Sequence, residues 1–283
     1  MTTFPISYSA LLAAFLLGLA IGSFLNVVIA RVPAGESVVS PRSRCPHCST
    51  PIAFYDNVPL VSYALLRGKC RRCGGKISKR YPVVEFLTGV AFAAAYWKFG
   101  WSSAFPLNAL FFSALIALIF IDLDYRILPD VITVPLIATG VLLSYFQDPS
   151  VIESRMTARL VNLDAPWYRI ATHGADSLLG ILLGGGALWL VAVLYLKLRK
   201  IEGMGMGDVK LMAAVGAFLG WTLAWLTIFI GSLCGAVIGS AYIAAQKKGM
   251  KYELPFGTFL GAAAIASTLW GPDLMDWYFS FYR

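Results

Sequence analysis

The sequence predicts an all-α polytopic membrane protein with about eight transmembrane helices and a small cytoplasmic insert. Its 283 residues are 58% hydrophobic and 13% charged, with a mean hydropathy of +0.72. This composition is too apolar for a soluble domain, which must cover itself with polar surface. Apolar stretches of roughly 16 to 22 residues recur along the chain, and a helix needs about 20 residues to cross a bilayer.

The apolar stretches divide the chain into three predicted parts. Residues 1–30 form a first transmembrane helix, residues 31–82 form the insert, and residues 83–283 form a membrane core with about seven helices. Residues 1–7 carry no Lys or Arg and no small-residue cleavage site follows the apolar run, which favours a span over a signal peptide. The predicted spans are 8–30, 83–100, 104–121, 131–147, 175–196, 209–224, 225–245 and 256–271.

The distribution of Lys and Arg predicts the orientation, because cytoplasmic loops carry an excess of both residues. With the N-terminus outside, 18 of the 23 basic residues fall in inside segments, and ten of them lie in the insert. The formal charge of +8 is then mainly a topology signal, which anionic lipid can neutralise at the insert. A nucleic-acid partner is disfavoured, because the aromatic residues lie in the spans and not among the basic residues.

The insert contains a four-cysteine pattern with the spacing of a metal site. Cys45, Cys48, Cys70 and Cys73 form two CxxC pairs with 21 residues between them, and two such pairs can present four thiolates to one tetrahedral zinc ion. Two disulfides are the alternative, but disulfides are rare in the reducing cytoplasm. Four thiolates leave no open position on the metal, so the predicted zinc is structural. His47 is expected to be exposed.

Two groups of carboxylates adjoin predicted spans, and ionisable groups near hydrocarbon are candidates for function. Asp122, Asp124 and Asp130 lie in FIDLDYRILPD, and Asp208 follows the glycines of GMGMGDVK. Two complete spans separate the groups, so both lie at one membrane face. The same parity argument places the cysteine insert at that face.

Two carboxylates that meet near an apolar environment cannot both ionise cheaply, so one retains a proton while the other polarises water. This chemistry is that of an aspartyl protease, and Asp122 and Asp208 are the predicted pair. Gly205 and Gly207 would let an extended substrate approach the backbone closely. Asp124 and Asp130 are expected to cap helices or contact headgroups, with Asp130 as an N-cap before an apolar run.

The motifs together resemble the type IV prepilin peptidases, a family of GxGD intramembrane aspartyl proteases. The resemblance covers nearly the whole chain. It is carried, in order, by GSFLNVVIARVP, the two CxxC pairs, RYPVVEFLTG, IDLDYRILPD, GMGMGDVKL and LPFGTFLG. It implies that Asp122 and Asp208 are catalytic and that the four insert cysteines bind the metal.

The resemblance also implies a substrate and a second activity. Members of this family cleave the short basic leader of prepilins or pseudopilins at the cytoplasmic face of the inner membrane. They then methylate the new N-terminal residue with S-adenosylmethionine. The sequence shows no methyltransferase glycine loop after a strand, so the cofactor-binding residues are unknown. The insert has only Glu36 and Asp56 against its ten basic residues, so it would repel a basic leader. Two explanations are open: anionic lipid neutralises the insert, or recognition depends on the substrate backbone and its apolar stem.

Several polar residues have two interpretations. Asn26 is expected to pack between helices, whereas Glu85 is assigned equally to helix packing and to substrate contact. Cys234 is expected to pack among small residues of its span. The loop 148–174 is longer than expected for the family, and His173 within it is expected at the surface.

Two other functional classes compete with the peptidase hypothesis. A proton-coupled transporter would require polar residues near the middle of several spans, whereas the acids cluster at one edge. A structural subunit of a secretion machine would leave the acids without a role. Hydrolysis of a prepilin would distinguish the peptidase from both.

Overall fold

The computed structural model describes residues 7–148, 151, 167–200, 204–246 and 254–281. Within these residues the protein is helical, and β structure is limited to two isolated bridges. The chain divides into two compact units, unit 1 (Met1–Ala117) and unit 2 (Leu118–Arg283). The three-part division predicted from the sequence stays a prediction.

Unit 1 is built on two long helices that pack closely through glycine. Helix α1 (Tyr8–Arg31) packs against α3 (Arg80–Phe99), and the short α2 (Val61–Leu65) lies in the segment between them. A Cβ added at Gly18 would lie 2.6 Å from the Thr88 carbonyl oxygen, and one added at Gly22 would lie 2.7 Å from the Glu85 Cα. The two backbones can therefore approach this closely only because both positions lack a side chain.

The insert between α1 and α3 contains both β-bridges. Arg44 pairs with Pro51 and Lys69 pairs with Lys76, so each bridge closes the loop around one CxxC pair. An ion pair connects the segment between the two CxxC loops to the second loop. Arg71 in that loop donates hydrogen bonds to both carboxylate oxygens of Asp56 in the segment between them. These hydrogen bonds from Arg71 lower the pKa of the Asp56 carboxyl.

Unit 2 is a helical assembly around one long helix. Helix α4 (Ala104–Tyr125) begins in unit 1 and ends in unit 2. It is followed by α5 (Asp130–Leu142), α6 (Trp167–Gly180), a π-helical segment (Ile181–Gly185), α7 (Gly186–Arg199), α8 (Met206–Gln246) and α9 (Phe256–Ser280). Helix α8 contacts α5, α6, the π-helical segment, α7 and α9. It is therefore the central element of this unit.

Helix α8 covers both spans predicted at 209–224 and 225–245, and a break divides it into two helical parts. Its backbone breaks at Gly220 (φ 70, ψ 177), a conformation that glycine adopts without the cost of a Cβ. Side chains from neighbouring segments bond to the carbonyls before the break. Gln147 Nε2 donates to the Phe218 oxygen at 3.3 Å, and Ser177 Oγ donates to the Ala217 oxygen at 2.8 Å. Two of the carbonyls before the break, those of Ala217 and Phe218, thus have side-chain partners.

Among the described residues, four helices are long and apolar enough to cross a membrane. They are Tyr8–Arg31, Ala104–Tyr125, Ala171–Arg199 and Met206–Ala241. Helix α5 is apolar but shorter, and α3 and α9 lie where the second and eighth spans were predicted. The structure thus supports a polytopic helical membrane protein, and the number of eight crossings stays a prediction.

Two expectations about polar residues were wrong. His173 is fully buried, with Nδ1 2.9 Å from the Ser144 carbonyl oxygen, because residues 167–180 form a helix where a surface loop was predicted. Asp130 is not an N-cap, since Pro129 holds that position and Asp130 begins the helix. Its carboxylate instead pairs with Lys210 at 2.7 Å. Residues 152–166 of the long loop, with Arg155, Arg159 and Asp164, lie outside the described part of the chain.

Replacing Gly216 with Ala should destabilise unit 2. A Cβ at Gly216 would clash with the carbonyl group of Gly180, and backbone cannot move aside as a flexible side chain can. Overpacking of this kind costs about 1–3 kcal/mol, so the unfolding temperature in detergent should fall. Gly186→Ala is the matched control, because its Cβ would meet nothing within 4 Å. Equal unfolding temperatures for the two variants would contradict this packing.

Candidate active site and metal centre

The four insert cysteines converge on one point. Their sulfur atoms all lie within 4.8 Å of one another, and Cys45 Sγ is 3.8 Å from Cys73 Sγ. All four are free thiols, so the disulfide alternative is not supported. Ligands of a tetrahedral zinc ion with Zn–S distances of about 2.3 Å would be about 3.8 Å apart. The arrangement therefore fits a four-coordinate metal.

Each CxxC pair has its own backbone turn, and the two turns are of the same type. In the first, the Ser49 N–H donates to the Cys45 carbonyl at 2.8 Å, and in the second the Gly74 N–H donates to the Cys70 carbonyl at 2.9 Å. Ser49 (φ 55) and Gly74 (φ 69) both adopt the left-handed conformation. The turn directs the two thiols of each pair to the same side, as a metal site requires.

Hydrogen bonds favour the thiolate form at two of the cysteines. Bonds from the Thr50 hydroxyl and backbone N–H lower the pKa of Cys48 to about 6. Backbone N–H groups of Cys73 and Arg72 lower the pKa of Cys70. The thiolate is the metal-binding form, so these donors favour metal binding at Cys48 and Cys70, whereas burial and the neighbouring thiols raise the pKa of Cys73 to about 11. His47 is exposed, as expected, and its Nε2 lies 3.3 Å from the Lys76 carbonyl oxygen.

The two predicted catalytic carboxylates lie near the ends of different helices of unit 2. Asp122 is one turn before the end of α4, which stops at Tyr125 because Arg126 (φ 57) adopts the left-handed conformation. Asp208 lies in the first turn of α8, where the helix dipole favours a negative group. Asp122 is buried and Asp208 is half-buried.

The N-terminus of α9 positions Asp122. Helix α9 begins at Phe256, so the Thr258 N–H is one of its first donors and has no partner inside the helix. This N–H donates to Asp122 Oδ2 at 2.7 Å, and the Thr258 hydroxyl contacts the same oxygen at 3.0 Å. The carboxylate is therefore anchored by two donors from a single residue.

Gly257 separates the two carboxylates. A Cβ at this position would lie 3.1 Å from Asp122 Oδ2 and 3.2 Å from Asp208 Oδ1. The two oxygens are thus no further apart than the sum of those distances, and the Leu128 side chain also borders this space, with Cδ1 2.9 Å from the same Cβ position. This gap could hold a water molecule in contact with both acids.

The other acids and glycines of the two motifs differ from this pair in exposure and in contacts. Asp124 is exposed, and Asp130 is bound to Lys210. A Cβ at Gly207 would lie 2.9 Å from Leu128 Cβ, so this glycine is needed for packing, whereas Gly205 has open space beside it. Among the described residues, the nearest atom to a Cβ at Gly205 is the Gly207 nitrogen at 3.9 Å, and a substrate contact at either glycine stays a prediction.

Gly257 and Thr258 were not predicted to be site residues. Both belong to LPFGTFLG, which carries part of the resemblance, but neither side chain is acidic or metal-binding. The sequence Pro-Phe-Gly-Thr does indicate the start of an apolar helix, and the first backbone N–H groups of a helix have no partner within it. That signal shows a helix start and does not show which carboxylate it contacts.

Polar side chains also join the helices of unit 1. Asn26 Nδ2 donates to the Tyr81 carbonyl at 3.1 Å, which agrees with the expected packing role. Glu85 is 8% exposed, and its Oε2 accepts from the Leu60 N–H at 2.9 Å.

In unit 2, the glycines flanking Cys234 lie against α9, with the Cβ position of Gly231 2.9 Å from Leu260 Cδ2.

Comparison with known proteins identifies relatives along the whole chain. A family model described as "Bacterial Peptidase A24 N-terminal domain" matches residues 16–99, and one described as "Type IV leader peptidase family" matches residues 109–240. No solved structure matches significantly.

Three curated relatives carry the name "Prepilin leader peptidase/N-methyltransferase". The protein from Stutzerimonas stutzeri is 35% identical over 96% of this chain and 94% of its own length. The protein from Pseudomonas aeruginosa is 34% identical over 95% of this chain and 93% of its own length. The protein from Neisseria gonorrhoeae is 39% identical over 84% of each chain. The motifs, the fold and these matches agree, and the chain belongs to the type IV leader peptidase family.

Proposed function

We propose that this protein cleaves the leader from prepilins or pseudopilins and then methylates the new N-terminus. The family membership and the names of the relatives support both activities. The observation that carries the proteolytic assignment is the approach of Asp122 Oδ2 and Asp208 Oδ1 to Gly257. Two carboxyl groups on either side of a backbone gap are the arrangement that aspartyl proteolysis requires.

The proposed reaction depends on a proton shared by the pair. Two adjacent carboxylates do not both ionise cheaply, so one carboxyl keeps a proton and the other accepts one from water. The water oxygen attacks the scissile carbonyl, while the protonated carboxyl donates to the carbonyl oxygen. Collapse of the tetrahedral intermediate then expels the new amine, which takes up a proton. The Thr258 donors hold Asp122 in one orientation throughout.

The proposed location is the inner membrane, with both carboxylates at the cytoplasmic face. The supporting observation is the sequence bias, since 18 of 23 basic residues fall in segments assigned to that side. A substrate with a basic leader and an apolar stem would present the bond between these parts at the same depth. Anionic lipid around the insert would reduce its repulsion of the leader.

The proposed cofactors are a structural zinc ion and S-adenosylmethionine. The four convergent thiols fit zinc, which Cys45, Cys48, Cys70 and Cys73 would hold. It would stabilise an insert too small to fold around a core of its own. S-adenosylmethionine would supply the methyl group for the second reaction.

Removing either acid should abolish cleavage. Asp122→Asn and Asp208→Asn each eliminate the shared proton while keeping the side-chain volume, so leader removal should fall by at least about a thousandfold. Purified protein is mixed with a prepilin, and the loss of mass is followed. Asp124→Asn is the matched control, because it alters an exposed acid two residues away. Processing at the wild-type rate by both variants would refute the assignment.

Gly257→Ala should reduce cleavage strongly without removing a titratable group. The added methyl group would fill the gap between the carboxylates and displace the water or substrate atom there. We expect at least about a hundredfold lower kcat/KM, since a displacement of 1 Å in a reacting group has an effect of this size. Gly186→Ala serves again as the open-space control. A Gly257→Ala protein that is folded and cleaves normally would show that the gap is not used.

Cysteine substitutions should remove the metal. Purified wild-type protein should contain about one zinc ion per chain, and Cys45→Ser or Cys73→Ser should lower that content, because serine is a poor zinc ligand. Metal is measured by mass spectrometry on protein prepared without added chelator. Cys234→Ser, outside the cluster, should retain the zinc. Undetectable zinc in the wild type would contradict the metal assignment.

A further inference from the structure

A second candidate site lies in unit 1, among residues that the proposed proteolysis does not use. A cavity of about 310 Å³ is bordered by Ala20, Ser23, Phe24 and Val27 of α1 and by Asn57 and Pro59 of the insert. Its walls are mostly apolar. The cavity thus offers an apolar surface along a membrane helix, with polar groups from Ser23 and Asn57.

A buried carboxylate lies directly behind this wall. Glu85 accepts a hydrogen bond from the N–H of Leu60, the neighbour of Pro59, and the Ser23 hydroxyl interacts with the same carboxylate. These groups account for two acceptor sites, whereas a carboxylate has about four. Burying an acid beside an apolar helix is costly, and such acids are candidates for function.

The backbone beside the carboxylate is strained. Leu60 has φ 59 and ψ −45, and the Val61 N–H bonds to the Pro59 carbonyl at 2.6 Å across it. This is a γ-turn with positive φ, a rare conformation that persists where the surroundings enforce it and that clusters at functional sites. Here the Glu85 carboxylate enforces the turn by accepting the Leu60 N–H, which fixes Pro59 on the cavity wall.

We propose that this cavity binds the α-ammonium group of the cleaved pilin, with Glu85 as its counter-ion, for methylation. Charge complementarity supports this occupant, because the buried acid would attract a cation while the apolar walls accept the stem that follows it. Phe24, which is 49% exposed on the wall, adds an aromatic face for the same cation. This inference rests on the methyl-transfer part of the proposed function.

The transfer balances with a sulfonium-type methyl donor. The ammonium group gives one proton to the Ser23 hydroxyl on the cavity wall, which passes its own proton to the Glu85 carboxylate, and the freed nitrogen lone pair forms the bond to the methyl carbon. The electron pair of the broken carbon–sulfur bond stays on sulfur, which leaves as a neutral thioether. The product is a secondary ammonium ion, and Glu85 returns its proton to water.

The test uses the full-length protein in detergent and a synthetic peptide that begins at the residue after the cleavage point. The peptide is prepared with a free α-amino group and with an acetylated one, and binding of each is measured by fluorescence anisotropy without a methyl donor. The wild type should bind the free amine at least about tenfold more tightly than the acetylated form. Methylation of the free peptide is followed in parallel by mass.

Glu85→Gln should remove that preference. Glutamine keeps a carbonyl acceptor for the Leu60 N–H, so the turn can persist while the charge is lost. Asn57→Asp, added to Glu85→Gln, should restore part of the preference, because it returns a negative charge to the cavity wall. A purely structural role for Glu85 would not respond to such a relocation. Glu36→Gln changes an exposed insert acid and is the matched control.

The outcomes separate this inference from the proposed function. An unchanged preference in Glu85→Gln, or no preference in the wild type, would overturn the amine site while leader cleavage of intact prepilin remained. Loss of methylation by Glu85→Gln with recovery in the double variant would support it. A wild type that cleaves prepilin but never methylates the free peptide would overturn both the amine site and the methyl-transfer part of the proposed function.

Discussion

The proposed active site depends on the contact between the first turn of α9 and the Asp122 carboxylate. A helix start has N–H groups without helical partners, and an acid near hydrocarbon needs hydrogen-bond donors. Thr258 meets both requirements with its N–H and its hydroxyl. The adjacent Gly257 keeps a space that any side chain would occupy. One helix terminus therefore supplies both the anchor for one acid and the gap beside the other.

Packing through small residues sets the positions of the helices that carry the site. In unit 2, Gly180 and Gly216 bring the backbone at the end of α6 against α8, and in unit 1, Gly18 and Gly22 bring α1 against α3. Helices in a bilayer gain little from hydrophobic burial against each other, so close backbone contact and interhelical hydrogen bonds must contribute more. The location of Asp208 follows from this, because it lies in the first turn of the helix that the glycines fix.

The sequence predicted which side chains come together better than it predicted the course of the backbone. The CxxC spacing predicted a four-thiol cluster, and the parity of crossings predicted that Asp122 and Asp208 share one face. Both rest on local patterns and simple counting. The roles of Gly257 and Thr258 could not be predicted in this way, because they depend on which carboxylate a helix start meets in three dimensions.

The errors have a similar origin. The border between the two predicted spans was placed after residue 224, whereas the helical backbone breaks at Gly220, where Gln147 and Ser177 bond to the carbonyls of Phe218 and Ala217. His173 was placed at a surface because it lies in the predicted loop 148–174, yet the Ser144 carbonyl provides an internal partner. Asp130 had the sequence context of a cap, but Lys210, 80 residues later, attracts its carboxylate. Pairings over such distances in sequence cannot be inferred from local pattern.

The dependence of Asp122 on Thr258 also has a consequence for biosynthesis. The chain is made from its N-terminus, so both acids are synthesised before the helix that anchors one of them. A nascent chain that ends before residue 258 has the acids but lacks the donors that orient Asp122 and the glycine that spaces the pair. In the proposed mechanism, competence to hydrolyse peptides would therefore be acquired only when α9 packs into unit 2.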